Sequence, residues 1–480
     1  MATDPLRHFL EIPYDELEEL NLAAKQQRIE HADPARIEEA RRRYLADEKR
    51  IKAVTVCFSD LEGRFHMLDY DKKFLLQHTD NLTFDGSSIR GFSEIGESDL
   101  KISVDWSAFY WLPSDVFGPG KVVVFGEVQG QDGRPYAADF RSRLRLVTDA
   151  MYAQDGTVVH VAPEVEGFLF QGVDAERKYH QTAEFEFISS GGYYHSLPQD
   201  PLRQFIDRAA EAQRAMGFAN EKDHPEVAPS QFELNFSFSE AMIIADQIQL
   251  YKLSCRQIAR NMGLTASFLP KPVAGVNGNG MHCNISLSRG GKNLFFDAQG
   301  PDRLSSLAVG FIDRCLHNAT DICLILNASV NAYRRLDPNF EAPNQIKASA
   351  TNRAAMIRIP LANERSSRIE FRSIAPDVNP YLVFLTLLEV GLRGPEPDPS
   401  DAEGKRPRTR FLPGNIHDAI RAMKASRFAT DLLGEENLKK YVELKQRAAD
   451  RCPLELGTLV KRSEIMFHHE VTNQLLWSKF

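Results

Sequence analysis

Residues 161–170 read VAPEVEGFLF. An apolar run that would pass for a buried strand is broken by two glutamates, Glu164 and Glu166, one residue apart. Positions i and i+2 of a strand face the same way, so both carboxylates point at one place. Two like charges in a shared, partly buried space are costly unless a proton or a cation separates them.

Three further stretches are built the same way. In QFELNFSF (231–238) the apolar residues alternate with Glu233, Asn235 and Ser237; in MHCNISL (281–287) they alternate with His282, Asn284 and Ser286. In RIEFR (368–372), Ile369 and Phe371 alternate with Arg368, Glu370 and Arg372. Each reads as a period-2 strand with one apolar and one decorated face. Any one of them alone is more commonly a half-exposed sheet. Together their polar faces carry acids, one histidine and arginines, where a solvent face would carry lysine, threonine and serine. A curved sheet would turn these faces into one funnel.

Glu226, in HPEVAPSQFE, stands seven residues before Glu233 and completes the set Glu164, Glu166, Glu226, Glu233, Glu370 and His282. Oxygen-rich donors with a single imidazole suit Mg²⁺ or Mn²⁺ rather than zinc. Six donors exceed what one Mg²⁺ takes from protein, so two or more ions are expected. Divalent ions beside several arginines point to phosphoryl chemistry.

Other segments fit that chemistry. GVNGNGMH (275–282) is a glycine-rich turn entering a strand, where backbone N–H groups can approach a ligand. RRLDPNFEAP (334–343) is a turn-rich loop ending in an acid, and NRAAMIRIP (352–360) brings Arg353 and Arg358 together. Arginine clamps phosphate and carboxylate oxygens. GPGKV (118–122) and GGKN (290–293) lack the GxxxxGK[ST] spacing, so no Walker-type loop is present.

The bulk numbers set the frame. A 480-residue chain that is 43% hydrophobic can bury a large core in two domains or more. A mean hydropathy of -0.35 fits a soluble globular protein. The formal charge of -8 argues against nucleic acid as a partner. No apolar stretch approaches the roughly 20 residues that span a bilayer, and the N-terminus lacks the pattern of a secretion signal. The six cysteines are scattered singly and read as reduced thiols of a cytoplasmic protein.

Along the chain, residues 15–50 are charge-rich and helical, broken at Ala32-Asp33-Pro34, with Asp33 as N-cap and Pro34 in the first turn. They read as a solvated helical pair at a domain edge. KAVTVCFSD, GRFHMLDY and GKVVVFGEV read as strands of a small β-rich domain. A helix at 139–155 opens a second domain, where strands are interleaved with helices at 201–217, 239–262, 304–326 and 380–393.

With these stretches in order, the chain resembles the glutamine synthetase family. The resemblance rests on FDGSSIRGF (84–92), EVEGFLF (164–170), GGYY (191–194), EVAPSQFE (226–233), KPVAGVNGNGMHCNISL (271–287), NAYRRLDPNFEAP (331–343), NRAAMIRIP (352–360), RIEFR and NPY. It covers roughly residues 36–480 and implies an α+β fold, with a β-grasp-like domain (36–138) and a larger catalytic domain (139–480) with a curved antiparallel sheet flanked by helices; residues 1–35 lie outside it and read as an N-terminal helical extension. It also implies formation of glutamine from glutamate, ATP and ammonium through a γ-glutamyl phosphate, in a homo-oligomer, a ring-shaped dodecamer with active sites between subunits.

Carried over by position, the resemblance assigns Glu166, Glu226 and Glu233 to one ion and Glu164, His282 and Glu370 to another. It places glutamate on Asn277, Gly278, Arg335 and Arg372, and ATP on Arg353, Arg358, Arg368 and Ser286. Arg353 and Arg358 also stabilise the transferring group. Asp85 from the adjacent subunit resembles the base that deprotonates ammonium, with Ser88, Tyr193, Glu226 and Glu341 completing that pocket. The chain departs from the family pattern at Pro225, Ser230, Phe232, Ala274, Asn279 and Asn284. Two rival readings fit the same motifs: a γ-glutamyl-amine ligase with a larger acceptor, against which Asp85 and Glu341 argue, and a non-catalytic structural relative.

Overall fold

Alternation in the first strands sorts residues into two cores. The computed structural model describes residues 11–182, 184–195, 200–337, 342–397 and 409–466. Strands Ala53–Ser59 (β1), Phe65–Asp71 (β2), Leu82–Asp85 (β3), Asp99–Trp111 (β4) and Lys121–Gln129 (β5) form one sheet in the order β2-β1-β5-β4-β3. The central β1–β5 pair is parallel and the others antiparallel. Val54, Val56, Phe58, Val122 and Val124 face a core shared with the N-terminal helices. Cys57, Val123 and Phe125 face the core of the rest of the chain. A sheet covered on both faces reads as a continuous apolar run, which explains VVVF.

The N-terminal helices Tyr14–Ile29 and Pro34–Asp47 form as the capping residues dictate: the Asp33 carboxylate accepts from Ala35 N at 3.0 Å, with Pro34 in the first turn. Their placement differs from a solvated edge. Leu17, Asn21 and Ala24 are buried. Asn21 donates to the carbonyls of Trp111 (2.9 Å) and Ala215 (2.8 Å) and accepts from Trp111 N (3.0 Å), bridging β4 and the helix Pro201–Ala215.

The second sheet is built on Thr157–Gln171 (β6), Asn220–Pro225 (β7), Gln231–Phe236 (β8), Ser239–Glu240 (β9), Leu264–Ser267 (β10), Met281–Arg289 (β11), Lys292–Asn293 (β12), Gln345–Ser349 (β13), Ala355–Arg358 (β14) and Ile369–Phe371 (β15). Its order is β13-β14-β15-β11-β6-β8-β7, with β9 and β10 also on β6 and β12 on β11. Pairing is antiparallel except for the parallel edge pair β13–β14. Helix Ala241–Asn261 packs behind it, and Tyr251 Oη donates to Val165 O at 2.9 Å. The expected helix 304–326 is two, Ser306–His317 and Ala319–Leu326. Asn318 at their junction donates to Arg314 O and Pro395 O, turning its amide to local carbonyls as this residue type does at helix ends.

Candidate active site

The central strand changes partner between its two glutamates. Over Thr157–Val165, β6 pairs with β11; from Glu166 it pairs with β8. Glu164 therefore lies directly opposite His282, and Glu166 directly opposite Glu233. The Glu166–Glu233 rung continues to His224, and the rung two residues from Glu164–His282 along β11 sets Asn284 opposite Glu370 and Glu370 opposite Arg358. Because side chains on one face repeat every second residue, this register alone collects all of these groups. In β8 and β15 the decorated face is buried as fully as the apolar one.

Two clusters result. In one, ligand atoms of Glu164, His282 and Glu370 all lie within 4.8 Å of one another; in the other, those of His224, Glu226 and Glu233 do. Glu166 stands between them, its Oε2 accepting from Gly280 N (2.7 Å) and Gln231 Nε2 (3.3 Å). The charges answer the question raised by Glu164 and Glu166. Burial, then the charges of Glu166, Glu164 and Glu226, push the Glu233 carboxyl well above its ordinary range. Burial and the Glu166 charge push Glu226 up to about 7. Burial would raise Glu164 too, but His282 and the Asn284 amide outweigh it and hold that carboxyl down to about 2. One end of the chamber thus takes up protons that a cation would displace. The donor set is oxygen-rich and buried or half-buried, so it fits hard divalent ions at both clusters.

Arginines enclose the acids. Arg358 Nη1 donates to Glu370 Oε2 at 2.8 Å, and Arg372 Nε lies 3.3 Å from Glu370 Oε1. Arg368 Nε donates to Asn284 Oδ1 (2.9 Å), whose amide donates to Glu164 Oε1 (3.0 Å). Arg335 is 7% exposed, donates to Arg372 O at 2.8 Å through Nη2, and leaves Nη1 without a partner. Burial lowers its pKa to about 10 despite the nearby Glu166. A buried guanidinium nitrogen without a partner is suited to a carboxylate ligand.

Gly278 and Gly280 make this approach possible. A Cβ at Gly278 would meet Pro270 O at 2.4 Å, and one at Gly280 would lie 2.5 Å from Arg335 Nη2 and 3.0 Å from His282 Nε2. Asn277 lies half-buried on the same loop. Ser286 continues the polar face of β11 beyond Asn284. Arg353 is exposed, and its carbonyl accepts from Arg372 Nη1 at 2.5 Å. The Tyr193 ring lies 3.8 Å from that of Tyr194, tilted by 31°, and stands edge-on to His224 at 5.7 Å.

Asp85 and Ser88 are not in this chamber's sheet. They lie at the β3 end of the other one, where Asp85 is exposed and its carboxylate accepts from Ser87 Oγ and Ser88 Oγ, both at 2.6 Å. Glu341 lies outside the described residues. Two residues escaped the sequence reading. His224 joins Glu226 and Glu233, and its only sequence signal is its place two residues before Glu226. Asn284 orients both Glu164 and Arg368, a role visible only in the pairing.

Comparison with known proteins gives the same architecture. The family description "Glutamine synthetase, catalytic domain" matches residues 137–458, and "Glutamine synthetase, beta-Grasp domain" matches 50–129. The helix pair at 14–47 precedes both. A glutamine synthetase of Methanosarcina mazei is 37% identical over 420 residues, spanning 84% of this chain and 92% of that protein. One from Thermotoga maritima is 34% identical over 435 residues, spanning 88% and 97%. Among solved structures, GmaS without ligand superposes with a TM-score of 0.73 at 25% identity, covering 88% of this chain and 98% of that one. The Plasmodium falciparum glutamine synthetase superposes with a TM-score of 0.77 at 21% identity, covering 90% and 98%, a likeness of fold.

Proposed function

The chain belongs to the glutamine synthetase family, and from that membership we infer an ATP-dependent ligase that forms glutamine from glutamate and ammonium through a γ-glutamyl phosphate. The observation that carries the reading at residue level is the pair of rungs of the second sheet on which Glu164 faces His282 and Glu166 faces Glu233.

Ammonia cannot displace an oxygen from glutamate's γ-carboxylate until that oxygen is part of a good leaving group. Its γ-oxygen attacks the terminal phosphorus of ATP, the bond to ADP breaks, and an acyl phosphate remains; ammonia then attacks the acyl carbon and phosphate departs. Mg²⁺ or Mn²⁺ held by Glu164, His282 and Glu370 at one cluster, and by Glu166, Glu226 and Glu233 with His224 at the other, would neutralise phosphoryl oxygens as Lewis acids. Arg335 is the seat for a glutamate carboxylate, with Asn277, Gly278 and Arg372 beside it. Arg353, Arg358 and Arg368, with Ser286, line the phosphate side and balance charge that spreads during transfer.

Ammonium has no lone pair, so the acceptor end must hold a cation and remove a proton. Glu226 and Tyr193 stand there. Asp85 and Ser88 are exposed on the first sheet, a position suited to donation into the site of a second copy in a ring-shaped dodecamer. Among the described residues no helix is long and apolar enough to cross a membrane, and we read the enzyme as cytoplasmic.

The test is phosphate release from ATP with Mg²⁺ and glutamate, run across ammonium, methylamine, ethanolamine and polyamines. Ammonium is expected to give the highest kcat/KM; a larger amine that beats it would make this a γ-glutamyl-amine ligase. Gly280→Ala drives a methyl group into the Arg335 guanidinium and is expected to raise the KM for glutamate about tenfold or more, as misplacing a buried polar partner does. A glutamate titration with unchanged KM would remove Arg335 from the glutamate site.

A further inference from the structure

Ser230 stands where the family pattern has glycine, and its backbone explains why glycine is usual: φ is +60°, in the left-handed region, with the side chain fully buried. What offsets that strain is specific. The Ser230 hydroxyl accepts from Ile188 N at 2.8 Å and from Ser189 N at 3.0 Å, and lies 3.2 Å from Ser189 O, to which it donates. A glycine could make none of these bonds.

The segment it holds leads to the mouth of the acceptor pocket. Ser189 Oγ donates to Asp200 Oδ2 at 2.6 Å and accepts from Gly191 N at 3.0 Å. A Cβ on Gly191 would lie 3.3 Å from Pro229 Cα, so this turn is pressed against the Ser230 segment. Three residues on, Tyr194 N donates to Pro225 O at 3.3 Å, using a proline that is itself a departure from the pattern. The loop is thereby tied at both ends to the strand–turn–strand that carries His224, Glu226 and Glu233. At its far end the Tyr193 and Tyr194 rings lie 3.8 Å apart with their planes tilted by 31°, share a 2.7 Å hydroxyl–hydroxyl hydrogen bond, and face the His224 ring edge-on at 5.7 and 4.7 Å.

We propose that Ser230 is a positioning residue that fixes the Ile188–Tyr194 loop as a wall of the acceptor pocket, so that the tyrosine pair admits ammonium and turns larger alkylamines away. The proposal rests on the glutamine synthetase reading. A loop held at one end only would let the rings swing from His224, widening the entry and loosening the hold on a small cation.

The experiment compares the full-length protein with Ser230→Gly and Ser230→Ala. Glycine relieves the backbone strain, so its thermal midpoint is expected to match or exceed the wild type; alanine keeps the strain without the bonds and melts lower. In both, the KM for ammonium is expected to rise about tenfold and the methylamine-to-ammonium ratio of kcat/KM by a similar factor, with kcat and the KM for glutamate changing far less. Amide exchange at 188–189 is expected to quicken in both. If the wild type is active and both variants keep its ammonium KM and its discrimination, the positioning role is overturned while the reaction stands. If the wild type releases no phosphate with any acceptor, the reaction reading falls and this proposal with it.

Discussion

Glu370→Gln is expected to lower the rate of phosphate release by about 10²–10³-fold, the range for losing one preorganised charge in a reaction of developing charge. Glu370 is 3% exposed and serves three neighbours at once. Its two oxygens meet Arg358 at 2.8 Å, Arg372 at 3.3 Å and the His282 ring at 3.8 Å. Glutamine keeps the shape but removes the negative charge, leaving two guanidiniums without their counter-ion and one cluster short of a donor. The Mg²⁺ concentration for half-maximal activity is therefore expected to rise about 10–100-fold. A Mg²⁺ titration of activity separates this from simple damage, because a misfolded variant loses amplitude without shifting its midpoint. A variant with wild-type rate and wild-type Mg²⁺ dependence would take Glu370 out of the metal cluster.

The second large effect lies far from the chemistry. Asp246→Ala is expected to destabilise the fold by about 3–5 kcal/mol, the loss found when one partner of a buried ion pair is removed. Asp246 is fully buried in helix Ala241–Asn261 and accepts from Arg141 Nε (2.8 Å), Arg141 Nη2 (2.9 Å), Arg28 Nη2 (2.9 Å) and Tyr381 Oη (2.7 Å). Arg141, 1% exposed, reaches on to Asp105 of β4 at 2.7 Å, and Arg145 pairs with the same carboxylate. One carboxylate thus joins the N-terminal helix and three helices of the second domain, and through Arg141 it is linked to the first sheet. Without it the Arg28 guanidinium stays buried with no carboxylate in contact, and Arg141 keeps only Asp105, which Arg145 shares, and Glu127 at 3.7 Å.

Chemical denaturation followed by circular dichroism measures the loss, and a variant within about 1 kcal/mol of wild type, the ordinary range for single substitutions, would show the network to be dispensable. The acid limb checks the sign. Burial favours protonation of Asp246, but Arg141 and Arg28 outweigh it and hold the folded pKa below its ordinary value. Its contribution is fully present above the unfolded value of about 3.9 and is lost as pH falls through the lower folded value. The variant's deficit should therefore shrink in strong acid.

Alternation was enough to find most of the chamber. Glu164, Glu166, Glu233, His282 and Glu370 each sit in a period-2 strand, and that pattern is local, needing only the next few residues to be read. Motif order then supplied the family, the β-grasp sheet and the arginines. The helix at 304–326 shows the limit of the same method: its apolar period runs straight through Asn318, and only the carbonyls waiting at Arg314 and Pro395 decide that the chain turns there.

What the amino acids determined alone, then, was which faces are apolar, which are charged, and which ions and reactions such faces suit. Pairing register decided the rest, because it links residues far apart in the chain. It sets Glu164 against His282, brings His224 beside Glu226, and lets Asn284 hold both an acid and an arginine. The same holds for Arg28 with Asp246 and for the Ser230 hydroxyl with the 188–189 amides. A buried polar group announces that it needs a partner; only the folded chain says which one.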